Sequence, residues 1–162
     1  MKFQDITLIL TGITTALMAG LFFSYSVSVN LGLGKLADKE YLQAMQSINR
    51  EILNPMFFAC FFGALISLPI ATFQQYHHDG TAFLLLVLAS VFYIIGVFGI
   101  TSAFNVPLNN KLDLLDLTKA SDISVKQIRD SFEKPWNSWN TIRTFSAVIS
   151  ATLVIIACVC RK

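Results

Sequence analysis

The sequence predicts an all-α membrane protein, a four-transmembrane-helix bundle with short amphipathic helices in its two long same-side loops. Three observations lead to this prediction: four long apolar stretches, few charged residues, and helical spacing of apolar residues in the loops. The stretches cover about residues 6–29, 55–73, 81–104 and 139–159. About 20 apolar residues in a helix cross the roughly 30 Å hydrocarbon core of a bilayer. The first three stretches contain no Lys, Arg, Asp or Glu, and the fourth contains only Arg143.

The composition agrees with lipid as the solvent. Hydrophobic residues make up 54% of the 162 residues and charged residues 14%, whereas a soluble domain carries about 25% charged residues. The mean hydropathy is +0.61. This length predicts a single four-span domain over residues 1–162. The net charge of +2 is too small and too scattered for nucleic-acid binding.

The distribution of Lys and Arg predicts the orientation. Four spans place both termini and the short connection 74–80 on one side, and the long loops 30–54 and 105–138 on the other. The loop side carries nine basic residues against three on the terminal side. They are Lys35, Lys39, Arg50, Lys111, Lys119, Lys126, Arg129, Lys134 and Arg143, against Lys2, Arg161 and Lys162. The positive-inside rule therefore predicts cytoplasmic long loops.

The first long loop contains the signals of a helix of its own. Asp38 is a suitable N-cap for a helix with apolar residues at helical spacing, namely Leu42, Met45, Ile48 and Ile52. Asn54 and Pro55 then suit the N-cap and first position of the second span.

The second long loop begins after the third span and is expected to contain a second amphipathic helix. Pro107 is expected to end or kink the third span. Ser124 and Gln127 form a capping-box pattern ahead of the loop helix. Pro135 is expected to break that helix and to begin the fourth span.

The fourth span carries a polar and aromatic stripe. At 100° per residue, its members fall within about 120° of one another; they are Trp136, Trp139, Asn140, Arg143, Ser146, Ala147 and Ser150. A charged residue inside a span is expensive, so it indicates a functional or structural role in the bundle interior. The alternative is that Arg143 snorkels to the headgroups. We expect Asn140, Arg143 and Ser150 to be buried.

The end of the third span supplies the second half of the candidate site. Asn105, Asn109 and Asn110 surround Pro107, whose ring would free backbone carbonyls at the membrane level of Trp139 and Arg143. Polar irregular backbone at membrane depth is tolerated when it lines a cavity. A simple helix end followed by a turn is the alternative interpretation.

These motifs resemble a known family. The sequences N-x-P-L-N-N and W-N-x-W-N-x-x-R-T, with A-G-L-F-F-S-Y-S-V in the first span and E-I-L-N-P before the second, are similar to the DUF1772 or anthrone-oxygenase-like membrane family. Most members of that family are bacterial, and the resemblance implies the bacterial cytoplasmic membrane. The fungal members imply oxidation of a polyketide anthrone to an anthraquinone by O2, without metal or flavin. The matching positions are Asn105, Pro107, Asn109, Trp136, Trp139, Asn140 and Arg143.

Two functions follow from the resemblance and the residues. The first is a cofactor-independent oxygenase for a hydrophobic aromatic substrate, in a pocket open toward the long loops. Its expected catalytic residues are Arg143, Asn140 and Asn105, which would stabilise an oxyanion. The expected substrate-binding residues are Tyr93, Asn109, Asn110, Trp136, Trp139 and Ser146.

The second function is a non-catalytic lipid- or ligand-binding membrane protein or accessory subunit. It is favoured because no Asp, Glu or His lies within a span to act as a base. The expected partners are membrane lipid and a hydrophobic or anionic small molecule, with oligomer formation left open. No cofactor or metal is expected, because the pair His77-His78 with Asp79 is more typical of a surface turn.

Overall fold

The computed structural model describes residues 2–76 and 78–161, and the described part is 87% helical without strands. It contains five long helices, which we label α1 to α5: Phe3–Leu33, Asp38–Glu51, Pro55–Gln75, Gly80–Asp113 and Asp122–Cys160. All but α2 are long and apolar enough to cross a membrane. The predicted all-α fold with four membrane-spanning helices is confirmed.

Helix α2 is the amphipathic helix predicted in the first long loop. It buries Tyr41, Leu42 and Met45. Asp38 is not its N-cap, because that position is taken by Ala37 and Asp38 is the first helical residue. The Asp38 carboxylate instead accepts a hydrogen bond from Arg129 at 2.9 Å. The predicted start of the next span is confirmed, since Asn54 accepts from the Phe57 N–H at 3.0 Å.

The prediction that Pro135 separates two helices is wrong, because α5 runs without interruption from Asp122 to Cys160. Its N-cap is Ser121, which accepts from the backbone N–H of Ser124, so the expected capping box at Ser124 is also wrong. Phe132 and Trp136 flank the proline and are both buried in the same apolar cluster. Burial on both sides keeps the two halves of the helix together although proline removes one backbone hydrogen bond.

Helix α4 likewise continues through Pro107 and ends at Asp113, so the first of the two expected alternatives, a helix end at Pro107, is wrong, whereas a kink there stays a prediction. The helix contains π-helical segments at Phe92–Gly99 and Thr101–Asn105. Pro107 follows them, at the start of the α-helical stretch Val106–Asp113. Proline is tolerated in the first turn of an α-helix, where its missing N–H is not needed.

The core consists of two clusters. The larger one lies among the four spanning helices. The smaller one joins α2 to α4 and α5 on the long-loop side, and its residues are Tyr41, Leu42, Met45, Leu112, Leu117, Val125, Phe132 and Trp136.

Arg129 holds this end of the molecule together. Its guanidinium donates to Glu133 at 2.6 Å and to Asp38 at 2.9 Å. It also donates to the Leu36 and Gly34 carbonyls at 2.7 and 2.9 Å. Because these partners lie on α5, on the segment between α1 and α2 and at the first residue of α2, Arg129 fixes α2 over the helix ends.

Candidate functional site

The polar stripe of α5 faces the interior of the bundle. Asn140 and Ser150 are fully buried and Arg143 is 7% exposed, which confirms the predicted burial. The Arg143 guanidinium carbon lies 4.4 Å from the Phe22 ring centroid and 5.0 Å from that of Trp136. The side chain is therefore held between aromatic rings by cation–π contacts and does not extend to the headgroups.

The polar partner of Arg143 is neutral. Its Nε donates to Asn140 Oδ1 at 3.0 Å, and Asn140 Nδ2 donates to Ser26 Oγ at 2.9 Å. Ser26 in turn shares a hydrogen bond of 2.9 Å with Thr144. This chain orients the guanidinium from α1 and α5 without neutralising its charge.

Among the described residues, no carboxylate lies within ion-pair distance of Arg143. Asp113 pairs with Arg50 at 2.6 Å, and Glu133 pairs with Arg129. A charged residue in a span costs about 3 kcal/mol or more unless it is compensated. An anionic group beside Arg143 would therefore be stabilised.

Arg143 lies on the wall of a cleft between the spanning helices and α2, which we call the Arg143 cleft. It is lined by Leu21, Phe22, Tyr25, Asn49, Ile52, Leu53, Phe57, Thr101, Asn105, Val106, Asn109, Trp136 and Arg143. The cleft has a volume of about 70 Å³. Of its lining residues, only Tyr25 and Arg143 have a titratable side chain.

Three polar atoms of the lining residues are buried without a hydrogen-bond partner among the described residues. They are Asn49 Nδ2, Thr101 Oγ1 and Asn105 Oδ1. Asn105 uses its other amide atom, Nδ2, to donate to the Trp136 carbonyl at 3.3 Å. A buried polar atom left without a partner costs about 1–3 kcal/mol. The cleft thus combines an uncompensated cation with unsatisfied neutral polar groups.

The cleft brings together four of the residues expected from the sequence: Asn105, Asn109, Trp136 and Arg143. Within it, Trp136 Nε1 donates to Asn109 Oδ1 at 2.7 Å, which fixes the indole. Asn140 is not among the lining residues of the cleft, and it contacts Arg143 as the acceptor of the Nε hydrogen bond.

The remaining expected residues lie elsewhere. Tyr93 donates from its hydroxyl to the Phe61 carbonyl at 2.9 Å in the core. Trp139 stacks on Phe104 at 3.8 Å between ring centroids. Ser146 packs against Gly96. The exposed Asn110 lines a neighbouring depression.

Sequence reasoning did not select Asn49, Thr101, Phe22 or Tyr25 for the site. Thr101 shares a face of α4 with Asn105, which was the available signal. Phe22 and Tyr25 lie in the A-G-L-F-F-S-Y-S-V segment. Nothing in the sequence around Asn49 distinguishes it from a surface residue of an amphipathic helix.

The described residues include no group of three His, Cys, Asp or Glu side chains that could hold a metal ion. His77 lies outside the described residues, so the metal alternative at His77-His78-Asp79 has no structural account.

Comparison with known proteins identifies one family. The family model described as anthrone oxygenase matches residues 50–153. This match covers α3 and α4 completely and includes Asn105, Trp136 and Arg143. The search of curated proteins found no match, and the search of solved structures found none either.

Proposed function

Because the chain belongs to the anthrone oxygenase family and is an integral membrane protein, we propose that it is an oxygenase for a hydrophobic aromatic substrate. The Arg143 cleft is the proposed active site. The observation that carries the proposal is the buried Arg143 guanidinium, which lies between aromatic rings and has no carboxylate partner among the described residues.

The proposed reaction begins with loss of a proton from the substrate, an anthrone, to give an enolate. The enolate carbon then bonds to O2, the resulting peroxide anion takes up a proton, and loss of water from the hydroperoxide leaves the second carbonyl of an anthraquinone. One oxygen atom enters the product and the other leaves as water. O2 is the only co-substrate of this scheme.

Arg143 would stabilise the negative oxygen of the enolate. A fixed cation in a water-poor site stabilises developing charge more strongly than it could in water. Asn140 would position it through the hydrogen bond to Nε, which leaves the remaining guanidinium N–H groups for the substrate. Trp136, Phe22 and Tyr25 would contact the flat rings.

A three-ring substrate does not fit into a cleft of about 70 Å³, because pockets for ligands of that size generally enclose about 300–1,000 Å³. Binding would therefore displace the apolar side chains of the wall, among them Ile52 and Leu53 at the end of α2. The cleft lining provides no carboxylate or imidazole, and the phenol of Tyr25 is not a base in its neutral form, so water that enters the cleft would accept the proton.

The test is turnover of anthrone by the purified protein in lipid nanodiscs, followed by O2 consumption and mass spectrometry of the product. Anthrone oxidises slowly by itself, so protein-free nanodiscs set the background. We expect Arg143→Gln to lower kcat/KM by about 100-fold or more, as loss of an oxyanion-stabilising donor does. Arg143→Lys should recover part of the activity, because it restores the charge without the planar fork.

The matched control is Arg50→Gln, which removes an exposed arginine that pairs with Asp113 outside the membrane core. It should keep wild-type turnover. Thermal unfolding of each variant separates a chemical effect from misfolding. Full activity of a folded Arg143→Gln variant would contradict the proposed role of Arg143, and absence of turnover above background in the wild type would contradict the oxygenase.

A second candidate function is non-catalytic binding of a lipid or another anionic small molecule. It is favoured by the lack of a carboxylate or imidazole among the lining residues of the cleft. In that case Arg143 holds a phosphate or carboxylate group. Mass spectrometry of small molecules that co-purify with the protein would then find an anionic ligand that Arg143→Gln loses.

For location and partners, we propose the bacterial cytoplasmic membrane, with lipid around the spanning helices and the substrate reaching the cleft from the bilayer. Oligomer formation is left open by the sequence, and size-exclusion chromatography with light scattering determines the oligomeric state.

A further inference from the structure

The hydroxyl of Thr101 behaves differently from those of seven other threonines in the helices. The usual arrangement is a bond to the carbonyl four residues earlier, which satisfies the hydroxyl within its own helix. It is made by Thr7, Thr11, Thr14, Thr15, Thr72, Thr141 and Thr144. Thr101 is 93% buried and makes no such bond. Its hydroxyl therefore has no hydrogen-bond partner among the described residues, and a ligand reaches it once the neighbouring side chains of the cleft wall are displaced.

The π-helical geometry of α4 accounts for this difference. Thr101 opens the π-helical segment Thr101–Asn105, and the carbonyl four residues before it belongs to the preceding segment, Phe92–Gly99. The wider turn changes the positions of carbonyls relative to the side chains that follow. Single π turns inside α-helices are frequent at functional sites.

The unsatisfied atoms around Thr101 are chemically complementary to a hydroxyl group. Asn105 Oδ1 is an acceptor, Asn49 Nδ2 is a donor, and the Thr101 hydroxyl can do either. All three residues line the cleft that contains Arg143. A hydroxyl needs one acceptor and offers lone pairs to donors, which matches this set.

We propose that Thr101, Asn105 and Asn49 form a subsite that recognises a hydroxyl substituent of the ligand, separate from the oxygen bound at Arg143. This inference rests on the proposed function for the choice of an aromatic ligand. Thr101 and Asn105 are then specificity-determining residues of the cleft. A site built to hydrogen-bond a hydroxyl rejects the analogue that lacks it, because its polar groups are left unpaired.

The test compares unsubstituted anthrone with a series of monohydroxylated anthrones, one for each ring position. Binding is followed by quenching of tryptophan fluorescence, because the chain has two tryptophans and one of them, Trp136, lines the cleft. Turnover is measured in parallel. The wild type should bind at least one hydroxylated isomer about 10-fold or more tightly than anthrone, which corresponds to about 1.4 kcal/mol.

Thr101→Val removes the hydroxyl at nearly constant volume and should reduce this preference to less than about threefold, since most of the discriminating free energy is lost. Thr101→Ser should retain it. The matched control is Thr11→Val, at a buried threonine of α1 that bonds to the Thr7 carbonyl and does not line the cleft. It should keep the wild-type preference.

The outcomes separate the two proposals. Binding with hydroxyl preference but without turnover supports the subsite and contradicts the oxygenase. Turnover with equal affinity for all ligands, or a preference unchanged in Thr101→Val, overturns the subsite and indicates that the three atoms hold water only. If the wild type binds none of the ligands, both proposals are overturned.

Discussion

Arg143 and Asn140 together make a buried positive charge that is oriented but not neutralised. The amide oxygen of Asn140 accepts from Nε at 3.0 Å, and its nitrogen is occupied by Ser26. An aspartate at position 140 could make the same contact to Arg143 and would add a negative charge. The choice of amide over carboxylate therefore decides whether the cleft attracts or repels an anion.

The uncharged amide at position 140 predicts the effect of Asn140→Asp. The new carboxylate would pair with Arg143, so the fold should be kept and the melting temperature should be unchanged or higher. An anionic ligand or enolate would now lie beside a negative charge, which costs several kcal/mol, and kcat/KM should fall by about 10-fold or more. Enzyme assay and thermal unfolding of the same preparation check this. Unchanged turnover would mean that the charge on Arg143 is not used.

Some of the predicted site residues line the cleft and others pack in the core, and the reason is physical. Helical spacing alone places Asn140, Arg143 and Ser150 on one face, and polar residues of a span face inward because lipid cannot solvate them. Spacing does not say which inward residue meets a cavity and which meets another helix. Tyr93 and Ser146 share inward faces with the cleft residues but pack in the core.

At the scale of elements, both predicted helix breaks failed for a similar reason. Proline weakens a helix locally, but α5 is buried on both sides of Pro135 and α4 changes its hydrogen-bond register before Pro107. These compensations come from other helices or from several residues upstream. A local pattern does not contain them, whereas the Asn54-Pro55 start is local and was predicted correctly.

Gly96, in the π-helical part of α4, lies very close to Ser146 of α5. A Cβ atom at Gly96 would overlap the Oγ and Cβ atoms of Ser146. The two helices approach closely at this point because Gly96 has no side chain, as is common where helices pack in membranes.

Gly96→Ala should therefore lower the free energy of unfolding by about 1–3 kcal/mol, the usual range for overpacking. Thermal unfolding in detergent measures it. The second change Ser146→Gly should restore much of the loss, because the overlapping atoms belong to the Ser146 side chain. Gly20→Ala is the control, since a Cβ there meets nothing within 4 Å. Equal stability of Gly96→Ala and the wild type would contradict the close approach.

At the scale of the whole molecule, the long loops form a cap over one end of the bundle. Helix α2 and the residues that follow it cover the Arg143 cleft with Asn49, Ile52 and Leu53. Gln46 of α2 donates to the Leu112 and Leu115 carbonyls at 2.8 and 3.0 Å. The cleft and most of the basic residues are thus at the same end. The side of the membrane on which this cap lies decides which compartment the polar end of the cleft adjoins.

The excess of Lys and Arg in the long loops predicts that this end is cytoplasmic. Single-cysteine variants in a background without Cys60, Cys158 and Cys160 test it with a membrane-impermeant maleimide. Ala37 and Gly80 are suitable positions. Ala37 precedes α2 on the long-loop side, and Gly80 begins α4 on the opposite side of the predicted membrane.

We expect Gly80→Cys to be labelled in intact cells and Ala37→Cys only after the membrane is opened. A Cβ at Gly80 meets nothing within 4 Å, and Ala37 is exposed, so both thiols should be reachable by the reagent. Labelling of Ala37→Cys in intact cells would reverse the orientation and place the cap outside. Six of the nine basic residues on the loop side lie in the second long loop and at the start of the fourth span, so neutralising Lys111, Lys119 and Lys126 together should weaken the preference if the loop charges set the orientation.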